Sequence, residues 1–232
     1  MKIRKILLVF GTRPEAIKMA PVFHRLKDNN HIDVRVCVTG QHRQMLDQVL
    51  DLFDITADYD FNLMKPNQTL EALTSDILIS TKNVLDEFKP DLTLVHGDTT
   101  TSFSAALASF YSGVKVGHVE AGLRTGNDQS PWPEEINRKL TAGLASYHFA
   151  PTAVARRNLI NENVDSNNIC VSGNTVIDAL LFTQKKIESN ADLQFSERKK
   201  FGFLGEKNKK IWLPVIGERT SEKDLKIFVM HC

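Results

Sequence analysis

The chain has 232 residues, enough for one large domain or two modest ones, and 42% of them are hydrophobic, enough to bury a core. Its 29 basic and 28 acidic residues leave a net charge of +1, which provides no electrostatic footprint for nucleic acid or an acidic membrane surface. Cys37, Cys170 and Cys232 stand far apart without C-x-x-C spacing, which argues against a zinc site or disulfide framework and points to a reducing, cytoplasmic setting.

The opening MKIRKILLVFGTRPE has too short an apolar run for a signal peptide; KILLVF breaks at Gly11 and reads as a buried first strand. PEAIKMAPVFHRLKDN (14–29) predicts a helix with Pro14 near its first turn. VRVCVTG (34–40) is the next strand and RQMLDQVLDLF (43–53) the next helix. Apolar residues at three- and four-residue spacing predict a long helix over 70–88. Strands follow at 90–98, 114–122, 147–152 and 168–174, alternating with helices at 99–113, 134–146, 153–163 and 176–189. The polar, basic stretch 189–210 reads as a surface passage toward a second unit. No segment is long and apolar enough to span a membrane. Strands this apolar are covered on both faces, and helical connections fit right-handed crossovers. The expectation is an α/β, doubly wound parallel domain over residues 1–175.

In such a sheet, ligands bind beyond the carboxyl ends of the strands. The first strand ends in GTRPEAIK, where Gly11 permits a tight turn and Arg13 and Lys18 offer positive charge for a phosphate beside a helix N-terminus. The second ends in TGQHRQM, placing Gln41, His42 and Arg43 near the same crevice, with His42 read for ligand contact rather than chemistry. Asp98 follows the strand in LVHGDTTT; Thr99 and Thr100 suffice to cap the helix, so Asp98 is not needed there. Glu120 ends the next strand, in VGHVEAGLRTG, with no capping reason to be Glu. In SPWPEEINRKL, Glu134 and Glu135 suit a helix first turn, and Glu134 and Arg138 share a face at four-residue spacing. Asp98, Glu120 and Glu134 are expected to converge beside Arg13 and Lys18. Crowded carboxylates with separated pKa values serve as base and acid, while the cations stabilise a departing diphosphate.

FGTRPEAIKMAPV, TGQHRQMLDQVL, HGDTTT, HVEAGLRTG, SPWPEEINR and SGNTVIDAL, in order from residue 3 to about residue 211, resemble the bacterial non-hydrolysing UDP-N-acetylglucosamine 2-epimerases. The resemblance implies a two-lobed fold of the glycosyltransferase-B type and interconversion of UDP-GlcNAc and UDP-ManNAc through an enzyme-bound 2-acetamidoglucal, with no metal or nicotinamide. It implies catalytic roles for Asp98, Glu120 and Glu134, and substrate binding by Arg13, Lys18, Gln41, His42, Gln44 and Arg138. Relatives are commonly homodimers, and many bacterial members bind a second UDP-GlcNAc as activator. Which carboxylate takes the C2 proton stays open. So do two alternatives, a hydrolysing epimerase releasing ManNAc and UDP, and a non-catalytic nucleotide-sugar-binding fragment.

The family pattern then fails at Trp212. Deleting one T from a back-translation of KILVTGHRRENFGER yields KIWLPVIGERTSEK, which is residues 210–223 of this chain. Residues 176–211 are accordingly expected to be a connecting helix and the start of a truncated second lobe, residues 212–232 a frameshifted tail, and the chain weakly active or inactive.

Overall fold

The structure is a computed structural model that describes residues 3–40, 43–65 and 67–200. Expectations for Gln41, His42 and residues 201–232 fall outside the described residues. The chain divides into two compact units, Met1–Gln184 and Lys185–Cys232.

In the first unit, β1 (Arg4–Phe10), β2 (Ile32–Val38), β3 (Tyr59–Asp60), β4 (Leu92–His96), β5 (Lys115–Val119), β6 (Tyr147–Ala150) and β7 (Ile169–Val171) form one sheet. Its spatial order is β3-β2-β1-β4-β5-β6-β7, and every pairing is parallel. The connecting helices are α1 (Arg13–Lys27), α2 (Arg43–Leu52), α3 (Leu70–Phe88), α4 (Thr100–Tyr111), α5 (Glu134–Leu144) and α6 (Ala153–Asn161). Helix α7 (Val176–Glu188) runs across the unit boundary. Among the described residues, no helix is long and apolar enough to cross a membrane.

The alternation of strand side chains builds two apolar layers from one run of sequence. On β1, Ile6, Leu8 and Phe10 join Met19, Phe23, Val36, Val38, Leu46 and Phe53 in one layer. Leu7 and Val9 join Val84, Leu85, Phe88, Val95 and Ala105 in the other. A strand buried on both faces has no polar positions to spare, which is why KILLVF carries no alternation. Fully burying a side chain such as Phe10 contributes about 2–3 kcal/mol, and Phe10 is 0% exposed.

Helix starts follow local chemistry. Thr12, Thr69, Thr99 and Thr152 cap α1, α3, α4 and α6, each accepting a main-chain N–H three residues on. Two elements differ from the sequence reading. The short β3 adds an edge strand, fixed by pairing with β2 rather than by any run of apolar residues. Residues 191–200, read as a surface passage, form α8 (Ala191–Lys200). Asn190 caps it by accepting the Leu193 N–H at 2.9 Å, and its first turn carries Asp192. Capping and helix-favouring residues need no apolar stripe, so hydrophobic periodicity misses such a helix.

The chain proceeds outward from β1 to β3, then returns to lay β4 against the other side of β1. This reversal opens a crevice beyond the carboxyl ends of β1 and β4.

Candidate functional site

Glu15 ties the two sides of the crevice together. It sits in the first turn of α1 and is 3% exposed. Its Oε2 accepts the main-chain N–H groups of Gly11 at 3.0 Å and Thr12 at 2.8 Å, and the Thr12 hydroxyl at 2.9 Å. Its Oε1 accepts the Thr99 hydroxyl at 2.7 Å and reaches Ser102 Oγ at 3.0 Å, both at the start of α4. One carboxylate therefore fixes the loop after β1 to the helix after β4. Burial pushes the Glu15 carboxyl above its ordinary value, against the pull of these donors. Gly11 is required beside it, because a Cβ there would stand 2.1 Å from Thr39 Oγ1 and 2.6 Å from Thr101 Oγ1.

Lys18, one turn further along α1, meets Glu120 at the end of β5. The ammonium donates to both carboxylate oxygens, at 2.7 and 2.6 Å. Asn174, ahead of α7, adds a bond to Glu120 Oε2 at 3.3 Å. Glu120 has φ 63°, the left-handed region that side chains seldom adopt. Beside it lies buried His96. Burial and the Lys18 charge push its imidazole down to about 3, so it stays neutral.

Asp98 follows β4, and Arg138 of α5 donates to it across the crevice wall. The same guanidinium lies 3.2 Å from Glu135 Oε2, and Glu135 is 0% exposed. Glu135 Oε1 accepts the main-chain N–H groups of Thr125 at 3.0 Å and Gly126 at 3.2 Å. The i, i+4 spacing pairs Arg138 with Glu134, but the structure pairs it with Glu135 and Asp98, because the i, i+3 neighbour is the one turned inward. His118 on β5 completes the support: its Nε2 lies 2.7 Å from the carbonyl of Gly97, the residue before Asp98.

The sequence-predicted residues thus separate into groups. Lys18 bonds Glu120, and Arg138 bonds Asp98; β4 and β5 are adjacent, with His96 opposite Val119. Glu134 stands at the first position of α5, half-buried, and its side chain makes no hydrogen bond or ion pair with the described residues. Arg13 opens α1 with an exposed side chain that makes none either. Gln44 is exposed in the first turn of α2. Gln41 and His42 lie outside the described residues.

Sequence reasoning missed Glu15, His96, Glu135 and Asn174. Thr12-x-x-Glu15 is a capping box, and that pattern signalled Glu15 directly. Glu135 carried no such signal, since two adjacent acids in a first turn look alike until the helix is docked. His96 and Asn174 become site residues through the meeting of β4, β5 and the loop before α7.

A family model described as UDP-N-acetylglucosamine 2-epimerase matches residues 24–213. The chain is similar to a Yersinia pestis UDP-N-acetylglucosamine 2-epimerase, with 57% identity over 215 residues, covering 93% of this chain and 57% of that protein. Its structure is similar to that of the Neisseria meningitidis UDP-GlcNAc 2-epimerase bound to UDP-GlcNAc, with TM-score 0.85, 54% identity and coverage of 88% of this chain and 55% of that one. The Methanocaldococcus jannaschii UDP-GlcNAc 2-epimerase in complex with UDP-GlcNAc and UDP gives TM-score 0.76 and 38% identity, over 81% and 51% of the two chains. The chain spans a little over half the length of these relatives.

Proposed function

Because the chain belongs to the UDP-N-acetylglucosamine 2-epimerase family, we propose that its crevice binds UDP-GlcNAc and UDP-ManNAc and serves their interconversion without hydrolysis. The observation that carries the reading is the pair of anchored carboxylates on adjacent strand ends, Glu120 under Lys18 and Asp98 under Arg138. In the proposed reaction the C2–H bond breaks and its electron pair forms the C1–C2 double bond. The C1–oxygen bond breaks with its pair leaving on UDP, which gives 2-acetamidoglucal. UDP then adds back to C1 while C2 is protonated on the opposite face. Asp98, Glu120 and Glu134 are the proposed proton carriers, and Lys18, Arg13 and Arg138 the cations for the diphosphate. Of the three, Glu134 is the acid whose side chain has no partner among the described residues, which leaves it free to reach a ligand. Gln41, His42 and Gln44 are proposed contacts for nucleotide sugar, including a second, activating UDP-GlcNAc, and the family's homodimer is proposed for this chain.

We also propose that residues 1–175 supply the first lobe, that residues 176–211 lead into a second, and that residues 212–232 arise from a shifted reading frame. DNA beyond codon 211, read in all frames, tests the last point: recovery of a VTGHRREN-like sequence supports it, and its absence in every frame removes it. Because residues 212–232 lack that motif, turnover by this chain is expected far below ordinary enzyme rates.

Titration calorimetry with UDP-GlcNAc tests the functional reading, with sugar products followed by NMR. The chain is expected to bind, and Arg13→Met, which removes an exposed cation without a carboxylate partner among the described residues, to weaken binding at least ~10-fold, the loss of one charge-assisted contact. No heat of binding, or unchanged affinity in the variant, would contradict the reading. Free ManNAc as the main product would favour the hydrolysing reaction.

A further inference from the structure

His96 ends β4, is 3% exposed, and directs Nε2 at Glu120 Oε1 across 3.9 Å. The separation is beyond hydrogen-bond length, and Nε2 has no hydrogen-bond partner among the described residues. A buried polar atom in that state calls for an explanation. A proton on Nε2 would draw the carboxylate oxygen into hydrogen-bond range, so the 3.9 Å gap places the ring proton on Nδ1 and leaves Nε2 a bare lone pair. Facing it is a carboxylate that offers lone pairs only. With no proton between them, the two acceptors stand apart. The other flank of Glu120 is closed by Lys18 at 2.7 and 2.6 Å and by Asn174 at 3.3 Å.

We propose that His96 is a positioning residue for the protonated form of Glu120: once the carboxyl carries a proton, its O–H donates to His96 Nε2, which closes the gap and holds the acid in one orientation. The inference rests on the proposed function only for the source of that proton, a sugar C–H. No further transfer occurs; the O–H bond stays intact and the imidazole stays neutral. The groups that face His96 keep it so. Lys18 from α1 opposes a second positive charge, and His118 from β5 is itself buried and neutral.

The test needs no turnover. In a chain carrying 15N-labelled histidine, Glu120→Gln mimics the acid, because its amide donates where a carboxylate cannot, and Glu120→Ala removes both charge and donor. His96→Leu assigns the signal. The expected result is a His96 Nε2 resonance moved upfield in Glu120→Gln, and neither in Glu120→Ala nor in the unaltered chain. Equal resonances in the two Glu120 variants would overturn the proposal, as would a proton on Nε2 in the unaltered chain. Failure of UDP-GlcNAc to bind removes the functional reading and leaves this comparison standing; equal resonances remove the role of His96 and leave binding standing.

Discussion

Glu15→Ala and Glu15→Gln separate a structural carboxylate from an incidental one. Alanine strands the Gly11 and Thr12 main-chain donors that Oε2 accepts. Two unsatisfied donors at about 1–3 kcal/mol each predict a loss of about 2–6 kcal/mol. The Thr99 and Ser102 hydroxyls add little to this, because they stand 3.2 Å apart and can turn toward one another. Glutamine behaves differently. With its oxygen at the Oε2 position it keeps the donors of Gly11 and Thr12, and its nitrogen meets two hydroxyls able to accept. Its cost should be about 1 kcal/mol. Urea unfolding at constant slope reads the difference as a midpoint shift. The pH dependence adds a signed test. Burial holds the Glu15 carboxyl above its ordinary 4.5, so the native state binds this proton more tightly than the unfolded chain. That contribution is complete below the unfolded value and is lost as pH rises through the native one. The advantage of the unaltered chain over Glu15→Gln should therefore be larger at about pH 4 than at about pH 7.5. Alanine and glutamine variants of equal stability, or an advantage that grows with pH, would refute the reasoning.

Arg138→Met leaves buried Glu135 and half-buried Asp98 without their shared cation, and should cost about 3–5 kcal/mol in urea unfolding; a loss under about 1 kcal/mol would mean the pair is not held as described. Gly11→Ala drives a Cβ into Thr39 Oγ1, which is bonded to Thr101 Oγ1 at 2.9 Å, and should cost about 1–3 kcal/mol, with Thr39→Ala in the same chain recovering part of it. His96 and His118 are both held down to about 3 by burial. The native state refuses protons that the unfolded chain accepts below about 6.5. Their contribution is present above that value and is lost as pH falls toward 3, at up to about 1.4 kcal/mol per pH unit for each group. Removing one of them by His118→Gln, which keeps a donor for the Gly97 carbonyl, should flatten the acid limb of stability against pH; an unchanged slope would show that His118 is not buried neutral.

How much of this was legible depended on whether the cause was local. The long helix over 70–88 was read to the residue from its apolar spacing, and in the structure Thr69 caps its start. The parallel sheet followed from strands too apolar to face water. Asp98 and Glu120 were legible as strand-end acids without capping duties, and Thr99 does the capping in the structure. What stayed hidden needed two elements at once. β3 exists through β2, and the choice of Glu135 over Glu134 as the partner of Arg138 depends on how α5 docks. His96 looked like the tail of a strand until β5 brought Glu120 beside it. Helix α8 was missed for the opposite reason, its cause being a local cap without an apolar face.

The two short bonds between Lys18 and Glu120 carry a consequence for how anions are received. A visitor that reaches this ammonium displaces a carboxylate instead of water, so what it gains is the difference between two ion pairs. Tight capture at this point would require the visitor to outbid an acid already seated at 2.6 Å. Such exchange releases few counterions, and dissolved salt should therefore weaken binding less steeply than a tally of nearby cations would imply.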